Sequence, residues 1–190
     1  MARLFLRLAR FPVLWHVLAL GLAGAGMVWL LVRVDALYLA SNHPVSHAAG
    51  QLAFSAARIE AHYAEMQAAG TLHLYAASQR LDFGLIAAIA LVAVLLGSLL
   101  ARLGGPGSRG WRAGWAAAVL GVAGAGMDAV ENLLSFVMLS NPQVIPQALA
   151  VAYSGFAAAK FVLLVLALLA ALASLVVGAV ERVAGAWRPR

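Results

Sequence analysis

The sequence has no cysteine and little charge. The absence of cysteine excludes disulfides, thiol redox chemistry, thiolate metal sites and S-acylation. Charged residues make up 11% of the 190 residues and hydrophobic residues 64%, whereas soluble domains have about 25% and about 45–50%. A globular domain of this length cannot bury so much apolar surface, but a bilayer accepts it. The composition therefore excludes an ordinary soluble domain.

The chain contains four apolar stretches. Each exceeds the about 20 residues with which a helix covers about 30 Å of hydrocarbon. A signal peptide is the alternative for the first stretch, but its apolar run is longer than the about 7–15 residues of such peptides. The sequence thus predicts an all-α protein, a four-transmembrane-helix bundle forming one integral membrane domain over 1–190. The predicted spans are Phe11–Val32, Leu81–Leu103, Ala113–Leu139 and Ala148–Val180.

The basic residues lie at the ends of these stretches and form no stripe, so we expect no nucleic-acid partner despite a net charge of +6. With four crossings, nine of the thirteen basic residues fall on one side of the membrane. The positive-inside rule makes this the cytoplasmic side. We therefore expect both termini in the cytoplasm. The nine are Arg3, Arg7, Arg10, Arg102, Arg109, Arg112, Arg182, Arg188 and Arg190, and four tryptophans lie near the same ends (Trp15, Trp111, Trp115 and Trp187).

One sizeable segment, residues 35–80, lies outside the predicted spans on the extracytoplasmic side. Apolar residues recur in it at steps of four and three, which predicts an amphipathic helix that ends at Gly70. We expect this helix to cover the ends of the spans, and a gating lid is the alternative. The residues that carry the pattern are Leu52, Ala56, Ile59, Tyr63 and Met66.

The two halves of the chain contain nearly identical motifs, Gly21–Met27 and Gly121–Met127. Both would lie in spans that run outward, which suggests a two-plus-two parallel repeat about an axis along the membrane normal. A second interpretation is that these small residues allow neighbouring helices to approach closely. Under that interpretation the contact positions are Gly21, Ala25, Gly121 and Ala125.

Polar residues inside the spans are the candidate functional site. A stripe at i, i+3, i+4 and i+7 follows the third span, Tyr153 and Lys160 share a face of the fourth, and Asp82 lies near the outer end of the second. Asp128 and Lys160 have matching depths of about 16–18 Å at 1.5 Å per residue. Because a charge at the bilayer centre costs at least about 2.5–3.5 kcal/mol, these groups must pair or line a wet cavity. The stripe consists of Asp128, Glu131, Asn132 and Ser135.

Two interpretations of this cluster remain open. In the first, Lys160 pairs with Asp128, or next with Glu131. The pair is then either a structural tie between the third and fourth spans or part of a binding or accessory protein whose polar stripe contacts a lipid-like ligand or another membrane subunit. In the second, the carboxylates and Lys160 line an outward-open cavity of an intramembrane enzyme or proton-linked carrier. A closed ion pair favours the first, and a solvent-connected cavity favours the second.

The histidines predict no cofactor. Pro44 argues against a shared helical face for His43 and His47, and a metal site formed with His62 and His73 is the minor alternative. His16 has no second histidine at matching depth, so a bis-histidine haem is not expected.

The same residues resemble a group of small bacterial membrane proteins. The resemblance covers about residues 70–165 and consists of Leu81-Asp82-Phe83, Asp128-x-x-Glu131-Asn132, a following proline and a late lysine, Lys160. It implies a four-helix protein of the bacterial inner membrane but no activity. The group has L-D-x-x-F where this chain has Phe83 directly after Asp82, which weakens the match in the second span.

Overall fold

The structure is a computed structural model that describes residues 7–8 and 10–186, and it is helical. Arg3, Trp187, Arg188 and Arg190, which contribute to the predicted orientation, lie outside the described residues. Within them, the helices are α1 (Val13–Ala40), α2 (His47–Gln51), α3 (Ala56–Ala68), α4 (Leu72–Gly104), α5 (Arg109–Ser140) and α6 (Gln147–Ala186).

Four of these helices, α1, α4, α5 and α6, are long and apolar enough to cross a membrane. They characterise a multi-pass membrane protein, as the composition predicts. The largest differences from the predicted spans are at two ends. α1 continues eight residues beyond Val32, and α4 begins at Leu72 instead of Leu81. The reason is that backbone geometry, not hydropathy, ends these helices: Asn42 (φ 54°) and Gly70 (φ 69°) have positive φ.

The long helices contribute to two compact units. Unit 1 comprises Met1–Gly26, Ala88–Ala125 and Val162–Arg190, and unit 2 comprises Met27–Ala87 and Gly126–Phe161. All predicted members of the polar cluster belong to unit 2.

Glycines set the packing of unit 1. A Cβ atom on Gly97 would lie 2.5 Å from the Gly114 carbonyl oxygen, and one on Gly114 would lie 2.6 Å from the Gly97 carbonyl oxygen. One turn earlier in α5, a Cβ atom on Gly110 would lie 2.6 Å from the Gly178 Cα of α6. These contacts leave no room for larger residues, so helix backbones meet directly.

The two copies of the glycine-rich motif differ in packing. A Cβ atom on Gly121 would overlap Ala93, and Ala125 is buried. In contrast, nothing lies within 4 Å of a Cβ atom on Gly21, and Ala25 is exposed. The prediction of close helix approach is therefore confirmed for the second copy and wrong for the first. The physical reason is that α1 is the least buried of the four long helices and presents this face outward.

A carboxylate from α6 caps the first turn of α5 in unit 1. The backbone N–H groups of Arg109 and Gly110 each donate a hydrogen bond of 3.0 Å to the two oxygens of Glu181. These N–H groups have no partner inside the helix, and a negative charge there complements the helix dipole.

In unit 2, helix α3 has the predicted amphipathic character. Its inner face, formed by Ile59, Tyr63 and Met66, is at most 3% exposed. It packs in a core cluster with residues of α1, α4, α5 and α6. Leu52 departs from the prediction: it follows the short helix α2, which the sequence did not predict, and it is 39% exposed.

Side chains of α6 and α3 attach the segment that contains α2 and α3 to the rest of unit 2. The Ser154 hydroxyl accepts a hydrogen bond of 3.0 Å from the Phe54 N–H, and the Gln147 amide bonds both the Phe54 carbonyl and the Ala56 N–H at 2.9 Å. Glu60 accepts a bond of 2.6 Å from the Ile145 N–H. We therefore call residues 41–71 the cap.

Candidate functional site

The centre of the candidate site is Lys160, the single lysine of the chain. Its Nζ atom lies 2.7 Å from Asp128 Oδ1 and 2.5 Å from Glu131 Oε2, and it lies 5.2 Å from the centroid of the Phe161 ring. The predicted pair with Asp128 is thus present, and the second-choice partner Glu131 binds at the same time. The pair links α6 to two successive turns of α5, because Asp128 and Glu131 are three residues apart.

The polar stripe of α5 faces inward along its whole length. Asp128 is 6% exposed, and the other three members are fully buried. Asn132 Nδ2 donates a hydrogen bond of 2.7 Å to Asp82 Oδ2, which brings the carboxylate of α4 into the cluster. Asp82 lies ten residues inside α4, about 15 Å from the first residue of that helix at 1.5 Å per residue, whereas the predicted second span began only one residue before it.

The remaining contacts of the stripe involve Gln79, which the sequence analysis missed. Gln79 Nε2 donates hydrogen bonds to Ser135 Oγ at 2.9 Å and to the Tyr75 hydroxyl at 3.2 Å. Tyr75, Gln79 and Asp82 are spaced i, i+4 and i+7, so they form a second polar stripe on α4. That spacing was the available signal, and it was hidden because the predicted span began only at Leu81. Tyr153, in contrast, joins the core cluster and not the ion pair.

The cluster holds more acceptors than donors. Three carboxyl groups (Asp82, Asp128 and Glu131) face the single ammonium of Lys160. Among the described residues, three buried acceptor oxygens of this cluster have no hydrogen-bond partner, Gln79 Oε1, Glu131 Oε1 and Asn132 Oδ1, and the buried Tyr63 hydroxyl has none either. Glu131 Oε2 has its partner in Lys160. An acceptor buried without a donor costs about 1–3 kcal/mol, so these three oxygens are a cost to the fold unless a donor reaches them.

The site is closed. The side chains of Lys160 and Asp128 are 5% and 9% exposed, and that of Glu131 is not exposed. This geometry is that of a closed ion pair.

An aromatic group lies beside the cluster where the cap joins α1 and α4. The Tyr38 ring stacks on the His47 ring (centroids 4.4 Å apart) and on the His43 ring (4.9 Å), and His43 also meets the edge of His62. His43 and His47 therefore come together through Tyr38 and not through one helical face. Within the part of the chain that the structure describes, no group of three or more histidine, aspartate or glutamate side chains has a metal-binding arrangement.

Burial in the cap changes the acidity of these histidines. Loss of water lowers the pKa of His47 to about 4 from its ordinary 6.5, and the positive charge of Lys160 adds to the effect. Loss of water also lowers the pKa of His43 to about 4, with a further contribution from His62. His43 and His47 are therefore neutral at pH 7, and His47 lies within electrostatic reach of the ion pair.

No family model matches the chain, and neither a curated protein nor a solved structure is significantly similar to it. The resemblance to the group of small bacterial membrane proteins therefore rests only on the motif residues, chiefly the D-x-x-E-N element.

Proposed function

We propose that the protein is an integral membrane binding or accessory protein whose intramembrane polar cluster receives a lipid-like ligand, or a group of a partner subunit, that is rich in hydrogen-bond donors. The observation that carries this proposal is the set of three unpartnered buried oxygens beside the closed ion pair, on Gln79, Glu131 and Asn132. Because all three are acceptors and the carboxyl groups outnumber the ammonium group, the cluster favours a cationic or hydroxyl-bearing group.

The proposal includes a topology. The four long helices form a four-transmembrane bundle in the bacterial inner membrane, with both termini in the cytoplasm and residues 41–71 on the outer side. The arginine distribution supports this orientation. A two-plus-two duplication is part of the same proposal, although the copies have since diverged, since Gly121 packs against Ala93 and Gly21 has no neighbour.

The test uses native mass spectrometry of the full chain purified from membranes in a mild detergent. Glu131→Gln is the informative variant. Its amide oxygen stays on Lys160, and its amide NH₂ replaces the unpartnered oxygen, so an acceptor becomes a donor. We expect the wild type to retain a bound molecule and the variant to lose it while remaining folded, since Lys160 keeps its pair with Asp128. The exposed Glu65→Gln change removes the same charge and is the control.

The alternative is an intramembrane enzyme or proton-linked carrier. An excess of carboxyl groups over lysine favours it, since the surplus charge requires protons at some stage. Reconstitution in vesicles with an internal pH dye separates the two. Proton movement coupled to a solute, abolished by Glu131→Gln, would replace our proposal, whereas retained ligand without proton movement supports it. A wild type that retains nothing and moves no protons contradicts both.

A further inference from the structure

A second polar feature lies in unit 1 and is independent of the proposed function. It centres on His16, which is 1% exposed and belongs to α1. His16 Nε2 lies 2.9 Å from the Leu95 carbonyl oxygen, which has no proton to give, so this nitrogen carries the hydrogen. In the neutral ring, Nδ1 is then the acceptor. It lies 3.4 Å from Arg102 Nη1 and receives a hydrogen bond from it.

This chain of bonds fixes Arg102 in one place. Arg102 Nη1 also donates to the Phe11 carbonyl oxygen at 2.7 Å. Two acceptors, the Phe11 carbonyl oxygen before α1 and His16 Nδ1 within it, thus hold one nitrogen of the guanidinium, whose other N–H groups stay available. A guanidinium held in this way loses less conformational freedom when it binds an anion.

Arg102 lines a cavity of about 220 Å³ together with Arg182 and four apolar residues, Val13, Leu99, Leu100 and Leu103. Among the described residues, neither arginine has a carboxylate partner. The acid nearest in sequence, Glu181, is occupied by the first turn of α5. Two positive groups therefore face one cavity with apolar walls, at the ends of helices that are apolar enough to cross a membrane.

We propose that this cavity binds an anionic glycerophospholipid, with the phosphate on Arg102 and Arg182 and an acyl chain along Val13, Leu99 and Leu103. The charge of the cavity selects a phosphate group, and arginine forks suit its oxygens. The apolar walls select the acyl chain, which a soluble phosphate ester lacks. His16 is a positioning residue, because it acts on the lipid only through Arg102.

The experiment is a lipid titration of the detergent-purified full chain by native mass spectrometry. The probes are phosphatidylglycerol and phosphatidylcholine with identical acyl chains. We expect a preference for phosphatidylglycerol that weakens about fivefold for Arg102→Gln or Arg182→Gln and about 25-fold for the double variant, at about 1 kcal/mol per arginine. Arg112→Gln is the control, since Arg112 is exposed at the same end and does not line the cavity.

Two further arms make the proposal refutable. His16→Leu should weaken the preference as Arg102→Gln does, whereas His16→Gln should retain it, since an amide supplies one donor and one acceptor to the same partners. An equal loss for Arg112→Gln would show a diffuse basic surface and overturn the proposal. Competition by excess glycerol phosphate that displaces the lipid completely would show a soluble-anion site instead, and equal binding of both lipids would show no headgroup site at all.

Discussion

Replacement of Lys160 by methionine tests the ion pair at the centre of unit 2. The change keeps the length of the side chain but removes the only ammonium group from a cluster with three carboxyl groups. Lys160 lies 2.7 Å from Asp128 and 2.5 Å from Glu131, so the variant leaves both without a partner. Breaking a buried pair from one side costs about 3–5 kcal/mol. At about 2–4 °C per kcal/mol for a chain of this size, the melting temperature should fall by about 6–20 °C.

The assay is thermal unfolding in detergent, followed by tryptophan fluorescence, with the exposed Arg112→Met as the matched control. Because Lys160 has two partners, Lys160→Met with Asp128→Asn should recover only part of the loss. The addition of Glu131→Gln should recover most of it, since removing all members of a buried pair is often nearly neutral. If Lys160→Met unfolds at the wild-type temperature, the contacts of Lys160 do not stabilise the fold, and the reasoning fails.

Three further predictions concern other parts of the chain. Cysteines introduced at Ser46 and Ser108 should label from opposite sides of the membrane, and labelling from one side would end the four-span topology. Gly114→Val should destabilise unit 1 by about 1–3 kcal/mol in thermal unfolding because its side chain meets the backbone of α4, whereas Gly126→Ala, in open space, should change little; equal effects would argue against this packing. Stability should decline as the pH falls from 6.5 towards 4, because in this window the unfolded chain binds protons at His43 and His47, whereas the folded chain does not (folded pKa of each about 4). His47→Phe, which keeps the stack on Tyr38, should remove part of this decline, and an unchanged pH profile would contradict the assignment.

Much of the fold follows from the sequence because bilayer length and hydrophobicity are strong constraints. The four long helices and the buried face of α3 required only apolar periodicity and length. The ends of the helices were harder to predict. α4 begins at Leu72, directly after the turn at Gly70. Arg80 does not interrupt this helix because its charged side chain is exposed.

The candidate site was predictable in part for a similar reason. Intramembrane charges are costly, so the stripe from Asp128 to Ser135 had to face inward and Lys160 had to find a carboxylate. The simultaneous contact with Glu131 depends on the distance between α5 and α6, which no sequence pattern gives. Gln79 was not predicted because an amide carries no charge, and because residue 79 lay in the segment assigned to the extracytoplasmic side. The stack of His43 and His47 on Tyr38 depends on a turn that brings distant rings together.

The bond between Glu181 and the first turn of α5 connects the end of the chain with its middle. Glu181 follows Gly110 by more than seventy positions, so a growing chain completes α4 and α5 before this carboxylate exists. Until then the N–H groups of Arg109 and Gly110 lack their partner. The cap on the first turn of α5 therefore forms only after α6 has been made. A chain truncated before residue 181 contains the first turn of α5 but lacks the carboxylate that caps it.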